Sequence, residues 1–232
     1  MIIYGRNAVR EALRGPRQVR HVWATKNTLR EPWLAAVSGA LRVDVEAAEG
    51  VAARCGSEGH QGICAEVSEF RYADADALLS AAEPLIVALD QVQDPQNLGA
   101  ICRTAECAGA AGVVLPERRS AEVTPAVCKA SAGAVEHLSV AHVRNLANWL
   151  GEAKARGLWC YGADAAGQMD YRSVDLRGGV VLVLGSEGKG LRPRVAAACD
   201  GLISLPLRGR IESLSVSAAA AVLLYAVGAQ RG

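Results

Sequence analysis

Six short runs of unbroken aliphatic residues, at 85–89, 112–115, 138–141, 158–161, 180–184 and 202–205, constrain the fold of this chain more than any other feature. A strand with one wet face alternates apolar and polar residues. An unbroken run has to be buried on both faces, as in a parallel sheet held between two layers of helices. The stretches between the runs supply those helices, predicted near 97–110, 124–135, 146–156, 193–198 and 213–229. The fold class is therefore α/β. Before residue 69 the texture differs: short alternating elements, with helices at 7–13, 32–41 and 47–55 and strands at 19–25, 42–45 and 62–67, read as a small α/β module. The expected organisation is a domain at 1–68, a polar, alanine-rich linker at 69–83 with a helical turn, and a larger domain at 84–232.

Composition narrows the class of protein. Of 232 residues, 51% are apolar and 21% charged, which is the balance of a folded globular chain. The longest apolar run, Ala218 to Val227, is half of the roughly 20 residues a membrane span needs. The first residues show no basic stretch leading into an apolar segment, so a cytoplasmic protein without a membrane anchor is expected. The 7 cysteines include no C-x-x-C pair, which points to buried reduced thiols and no metal site. The net charge of +1 implies no particular partner, but its distribution is uneven. Arg6, Arg10, Arg14, Arg17, Arg20, Lys26 and Arg30 face a single acid, Glu11, within the opening segment. Arg6, Arg10 and Arg14 share one face if the segment is helical, which suits either phosphate binding or a solvated surface.

Three blocks carry chemistry, each placed just past a predicted strand, where open α/β sheets build ligand sites. The first, Asp90 to Ala105, contains a turn signal at Asp94-Pro95, with Asn97 a candidate helix cap and Arg103 six residues into the helix. The second is Gly185-Ser186-Glu187-Gly188-Lys189-Gly190-Leu191. It lacks both G-x-x-x-x-G-K-[ST] and G-x-G-x-x-G, so it allows close approach to backbone without a pyrophosphate geometry. Glu187 disfavours a polyanion there. The third joins Pro206 and Gly209 to Ser213-Leu214-Ser215-Val216-Ser217 at the head of an alanine-rich helix that Ser213 could cap.

In order, spacing and strand context, these blocks resemble the SpoU (TrmH) family of SPOUT-class RNA methyltransferases. The matching residues are Asn97 and Arg103, then Gly185-x-Glu187-Gly188-x-Gly190-Leu191, then Pro206, Gly209 and Ser213-Leu-x-Val-Ser217. Ile3 to Leu13 and His60-Gln-Gly-Ile63 resemble the small ribosomal-protein-like RNA-binding domain of the branch that methylates guanosine 2′-hydroxyls in 23S rRNA. The resemblance implies a C-terminal trefoil knot, an exception to the rule of unthreaded chains. It also implies S-adenosylmethionine as cofactor, held mainly by backbone of Gly185, Ser186, Glu187, Gly188, Gly190, Leu205 and Leu214. Arg103 would act on the ribose hydroxyl, helped by Asn97, Glu187, Ser213 and Ser215. Arg6, Arg10, Arg14 and His60 would bind RNA, and the chain would form a homodimer through its final helix and first catalytic helix.

One position departs from the family. Ser215 stands where the pattern has asparagine, and a hydroxyl lacks the separate donor and acceptor ends of a carboxamide. A looser network at the reaction centre is the expected consequence. The alternatives to 23S rRNA are a tRNA substrate, a resistance-type rRNA substrate, and a non-catalytic RNA-binding or ribosome-assembly protein that keeps the knot.

Overall fold

The computed structural model describes residues 1–36, 39, 41–211 and 213–232. The chain opens with β1 (Ile2–Tyr4), α1 (Arg6–Arg14), β2 (Val19–Ala24), α2 (Pro32–Ala35), β3 (Val43–Val45), α3 (Ala48–Cys55) and β4 (Ile63–Val67). It continues with α4 (Ala75–Leu78), β5 (Leu85–Asp90), α5 (Pro95–Cys107), β6 (Gly112–Pro116), α6 (Pro125–Ala130), β7 (Ser139–Val143) and α7 (Leu146–Ala155). The last elements are β8 (Trp159–Ala163), β9 (Met169–Asp170), β10 (Val180–Gly185), α8 (Pro193–Ala198), β11 (Gly201–Ser204) and α9 (Val216–Arg231). Each of the six aliphatic runs becomes a strand. Of the helix expected at 32–41, the first turn forms as α2, while residues 37, 38 and 40 lie outside the described residues.

By its internal contacts the chain forms two compact units, Met1–Arg71 with Glu122–His137, and Tyr72–Ala121 with Leu138–Gly232. The first is built on a sheet of order β1-β4-β2-β3, in which β4 runs antiparallel to β1 and β2, and β3 runs parallel to β2. Helix α1, rich in Ala and Arg, is a good helix former and buries Ala8, Val9 and Ala12. Helix α3 buries Val51 against Trp23 and Cys64. The segment 122–137 belongs to this unit although it follows β6. It is fastened by the Arg17 guanidinium, 7% exposed, paired with the fully buried Glu136 carboxylate. The Phe70 ring lies 5.6 Å from Arg17, and His137 Nε2 is 3.1 Å from Glu11 Oε2. The helix expected over 124–135 is broken at Ala132 and Gly133, both left-handed, into α6 and a 3-10 turn at Ala134–Glu136. Glycine suits the second of these positions on packing grounds as well, since a side chain at Gly133 would begin 2.6 Å from Glu11 Cβ.

The second unit is a seven-stranded, wholly parallel sheet of order β7-β6-β5-β10-β8-β11-β9. Its central strand β10 is buried from Val180 to Leu184, as an unbroken apolar run requires. Two strands have no counterpart in the sequence reading, β1 and β9. At 3 and 2 residues they are too short to show a period. Among the described residues no helix is long and apolar enough to cross a membrane.

Candidate active site

Because every strand of the larger sheet is parallel, all carboxyl ends share one edge, and the second and third blocks both leave from it. Strand β10 ends with Gly185 paired to Asp90, the last residue of β5. The loop beyond closes on itself: Ser186 N donates to Gly190 O at 3.2 Å and Gly190 N to Ser186 O at 2.9 Å. Gly188 and Gly190 have φ of +75° and +62°, values that favour glycine. Gly185 is dictated by packing, since a Cβ there would lie 2.1 Å from the Gly190 carbonyl carbon. The far end of the loop is tied by Asp90, whose carboxylate is fully buried. It accepts from Arg192 N at 2.8 Å and Arg192 Nε at 2.7 Å.

These constraints leave a cavity of about 370 Å³ beside the loop. Gly185, Ser186, Glu187, Gly188, Gly190, Leu205, Ser213 and Leu214 all line it, with Asp164, Leu207 and Ala219 among the others. Sequence and structure thus bring the whole expected cofactor set to one place.

A chain of polar contacts runs from the cavity loop to the head of α9. Glu187 Oε1 accepts from Asn97 Nδ2 at 3.0 Å, and Asn97 Oδ1 accepts from Ser217 Oγ at 2.9 Å. Ser217 Oγ lies 3.2 Å from Ser215 Oγ, which accepts from Ala218 N at 3.2 Å. Two capping expectations need correction. Helix α5 is capped by Asp94, whose side chain accepts from Gln96 N, because Pro95 is preorganised for the first helical position; Asn97 is therefore free to reach Glu187. Helix α9 is capped by Ser215 and not Ser213. Serine and asparagine rank together as caps, so the departure at Ser215 preserves the cap. Ser217 and Asp90 join the site although sequence reasoning assigned them no role there. The signal for Asp90 was a carboxylate ending a wholly apolar strand.

Arg103 is exposed and sits in the third turn of α5, because that helix starts earlier than expected. At about 100° per residue it points roughly 120° around the helix from Asn97. Among the described residues the Arg103 side chain makes no hydrogen bond or ion pair. In the smaller unit, Arg6 pairs with Glu31 at 2.8 Å, while Arg10 and Arg14 both reach Glu11. Burial pushes the Glu11 carboxyl up, but hydrogen bonds from Arg10 and His137 and the charges of Arg14 and Arg10 outweigh it, and the net direction is down. His60, expected among the RNA contacts, is 7% exposed, and its Nδ1 accepts from Gly62 N at 2.9 Å. Its imidazole shapes the turn into β4 instead of standing out from the surface. Among the described residues no cysteine is in a disulfide, and burial pushes the Cys160 and Cys199 thiols up to about 12, far from the range of a reactive thiolate.

A profile of the SpoU rRNA Methylase family matches residues 84–225. The chain belongs to the SpoU rRNA methylase family. A second profile, for RNA 2′-O ribose methyltransferase substrate binding, matches residues 2–73. The SpoU profile takes in the whole cavity and the polar chain beside it, and the second takes in α1 with its arginines. Over 238 residues this SpoU methylase is 40% identical to the 23S rRNA (guanosine-2′-O-)-methyltransferase RlmB of Pseudomonas syringae pv. tomato, covering 99% of this chain and 95% of that protein. The crystal structure of an AdoMet-bound rRNA methyltransferase from Sinorhizobium meliloti aligns with a TM-score of 0.81 and 26% identity, over 97% of this chain and 85% of that one. The SpoU methyltransferase AviRb from Streptomyces viridochromogenes, solved in complex with the cofactor AdoMet, shares the fold. Its TM-score is 0.84 at 24% identity, over 99% of this chain and 89% of that one.

Proposed function

We propose that this SpoU methylase uses S-adenosylmethionine to methylate a ribose 2′-hydroxyl of RNA, and that the target is a guanosine of 23S rRNA. The observation that carries this reading is the contact from Glu187, on the wall of the glycine-lined cavity, through Asn97 to Ser217 and Ser215. The guanosine and the 23S substrate rest on the RlmB relative.

The cavity residues fit the cofactor. A volume of about 370 Å³ lies within the range of small-molecule sites. Its walls are mostly glycine backbone and aliphatic side chains, and of their charged groups the two carboxylates of Glu187 and Asp164 outnumber the one ammonium of Lys189, a balance suited to a cationic ligand. The backbone of Gly185, Ser186, Glu187, Gly188, Gly190, Leu205 and Leu214 would hold it. When bound, the cofactor would supply an electrophilic sulfonium methyl group for the ribose oxygen, departing as the neutral thioether, with the hydroxyl proton passing to solvent.

Asn97, held from both ends by Glu187 and Ser217, is positioned to orient groups at the cavity mouth, and Ser213 lends a hydroxyl on the same wall. A guanidinium keeps its proton and is a poor base, so the role of Arg103 is to orient the acceptor hydroxyl or its neighbouring phosphate. Its position round α5 from Asn97 fits a site completed by a second copy of the chain. The exposed Val222 and Tyr225 on α9 support a homodimer through that helix. Arg6, Arg10 and Arg14 on α1 would contact RNA in the smaller unit, and the knotted path implied by the family belongs to the same reading.

Incubating the protein with labelled S-adenosylmethionine and unmodified 23S rRNA, then mapping 2′-O-methyl positions, tests the proposal. Label should enter one guanosine. Absence of transfer to any RNA, with the cofactor bound, refutes catalysis; transfer to tRNA alone moves the substrate. Arg103→Ala should abolish transfer while cofactor affinity stays near that of the wild type.

A further inference from the structure

The shared carboxyl edge of the parallel sheet carries more than the cavity. Arg118 and Arg119 follow β6, Arg144 follows β7, and Arg208 and Arg210 follow β11, with Lys189 in the loop after β10. All are exposed, and among the described residues none of these arginines makes an ion pair or a hydrogen bond. Several arginines elsewhere in the same unit are matched, Arg156 with Asp76, Arg172 with Asp170, Arg177 with Asp175 and Arg192 with Asp90, while Arg103 and Arg194 form no ion pair among the described residues. The chain holds 24 acids against 25 Lys and Arg, so charge is available to match them. Leaving like charges unmatched along one edge incurs self-repulsion that a polyanion would relieve.

The backbone supports a built surface at one end of this edge. Arg119 has φ +61°, a left-handed conformation that a non-glycine residue adopts only when its surroundings enforce it. They do: Glu117 N donates to Val143 O at 2.9 Å and Ala121 N to Val92 O at 2.9 Å, so the turn is pinned to the ends of β7 and β5. The strained turn therefore holds two guanidinium groups outward from a fixed base. In the strand order, β7 and β11 are separated by five strand spacings, about 24 Å at ~4.8 Å each. The cavity past β10, β8 and β11 lies between the outermost of these groups.

We propose that this edge is a track for the RNA phosphate backbone. Arg118, Arg119 and Arg144 hold phosphates on one side of the methyl-donor cavity, and Arg208 and Arg210 hold them on the other. This deepens the RNA-methylating function argued above and rests on it. Contacts of this kind fix the register of the strand without reading its sequence.

The salt dependence of binding tests the track. Dissociation constants for a labelled, unmodified 23S rRNA transcript are measured for the full chain across a salt series, with S-adenosylmethionine affinity followed by calorimetry in parallel. Each lost phosphate contact lowers the slope of log affinity against log salt by about 0.7 on a single strand. R118Q/R119Q should therefore lose about 1.4 of slope, and R144Q and R208Q about 0.7 each. The KM for the transcript should rise in step. For R118Q/R119Q and R144Q, cofactor affinity should equal the wild-type value, which also reports an intact fold. R177Q, which removes a matched arginine before β10, should keep the full slope. Unchanged slopes for R118Q/R119Q and R144Q, while the wild type binds and methylates the transcript, would overturn the track and leave the methylase reading standing. A wild-type chain that neither binds nor methylates any RNA would overturn both.

Discussion

The two loops that wall the cavity are held by different means. The loop after β10 is closed by a pair of backbone hydrogen bonds between Ser186 and Gly190 and anchored by a buried carboxylate at Asp90. The loop after β11, from Leu205 to Leu214, forms no hydrogen bond among its described residues before the cap at Ser215. Its apolar members Leu207, Ile211 and Leu214 are 41%, 76% and 45% exposed. One wall is thus closed by its own backbone bonds and a buried anchor, while the described residues of the other have neither. Local stability follows the density of such bonds and buried contacts, so the second wall should be the one that responds to binding.

The largest effect should come from breaking the fixed wall at its tightest point. Gly185→Ala places a carbon 2.1 Å from the Gly190 carbonyl carbon, against backbone that cannot swing away. Overpacking of this kind costs ~1–3 kcal/mol or more, and the loop should open to relieve it. We expect cofactor affinity, read by calorimetry, to fall by about 100-fold or more, equivalent to roughly 3 kcal/mol. Asp90→Asn tests the same wall from its anchor. The amide keeps the shape but loses the charge facing the Arg192 guanidinium, whose side chain is 44% exposed. The exposure of one partner places the cost at the lower end for a charged hydrogen bond, about 2 kcal/mol in chemical denaturation. Retained stability in both variants would mean that the two walls do not differ as the bonding implies.

The fixed wall was also the legible one. An unbroken apolar run ending in glycines announces a buried strand and a close backbone approach, and both were found at Val180–Gly185. The cavity-lining set was legible through the family pattern. The caps were not, because each block offered several residues able to cap. At α5, proline at the first helical position selects Asp94 over Asn97, and this local signal outweighs proximity to the apolar run. At α9, Ser213, Ser215 and Ser217 are chemically alike, and only three-dimensional packing selects Ser215. His60 looked like a surface contact because nothing in its sequence neighbourhood shows that the turn before β4 folds it inward. The segment 122–137 packs on the first unit through contacts such as the buried Arg17–Glu136 pair, whose partners are over a hundred residues apart and so leave no local signal.

Where the loosely held wall meets α9, effects should be smaller. Ser215→Ala removes the cap and one end of the contact to Ser217, and should cost about 1 kcal/mol of stability. Ser215→Asn should restore stability to within about 0.5 kcal/mol, since the two residues rank together as caps. If methyl transfer is already substantial in the wild type and the asparagine variant raises it only slightly, the hydroxyl is a sufficient member of the network. A large rise would show that the departure weakens the reaction centre. Both variants are compared by denaturation and by single-turnover transfer.

The smallest effect on stability should come from within the loop itself. Leu207 lines the cavity but is 41% exposed, so Leu207→Ala removes little buried area and should change stability by less than about 0.5 kcal/mol. Its effect should appear only with ligand present. If the leucine is covered when cofactor binds, deleting those carbons should weaken cofactor affinity by about fivefold to tenfold, at ~25 cal/mol per Å² of apolar surface. Amide hydrogen exchange gives the matching observation in the unmodified chain. Backbone at 207–211 should exchange fast without cofactor and slow on binding, while Ser186 and Gly190, already bonded to each other, should change little. Equal protection of both loops before binding would remove the distinction between them, and the leucine would then have to act through the fold and not through the ligand.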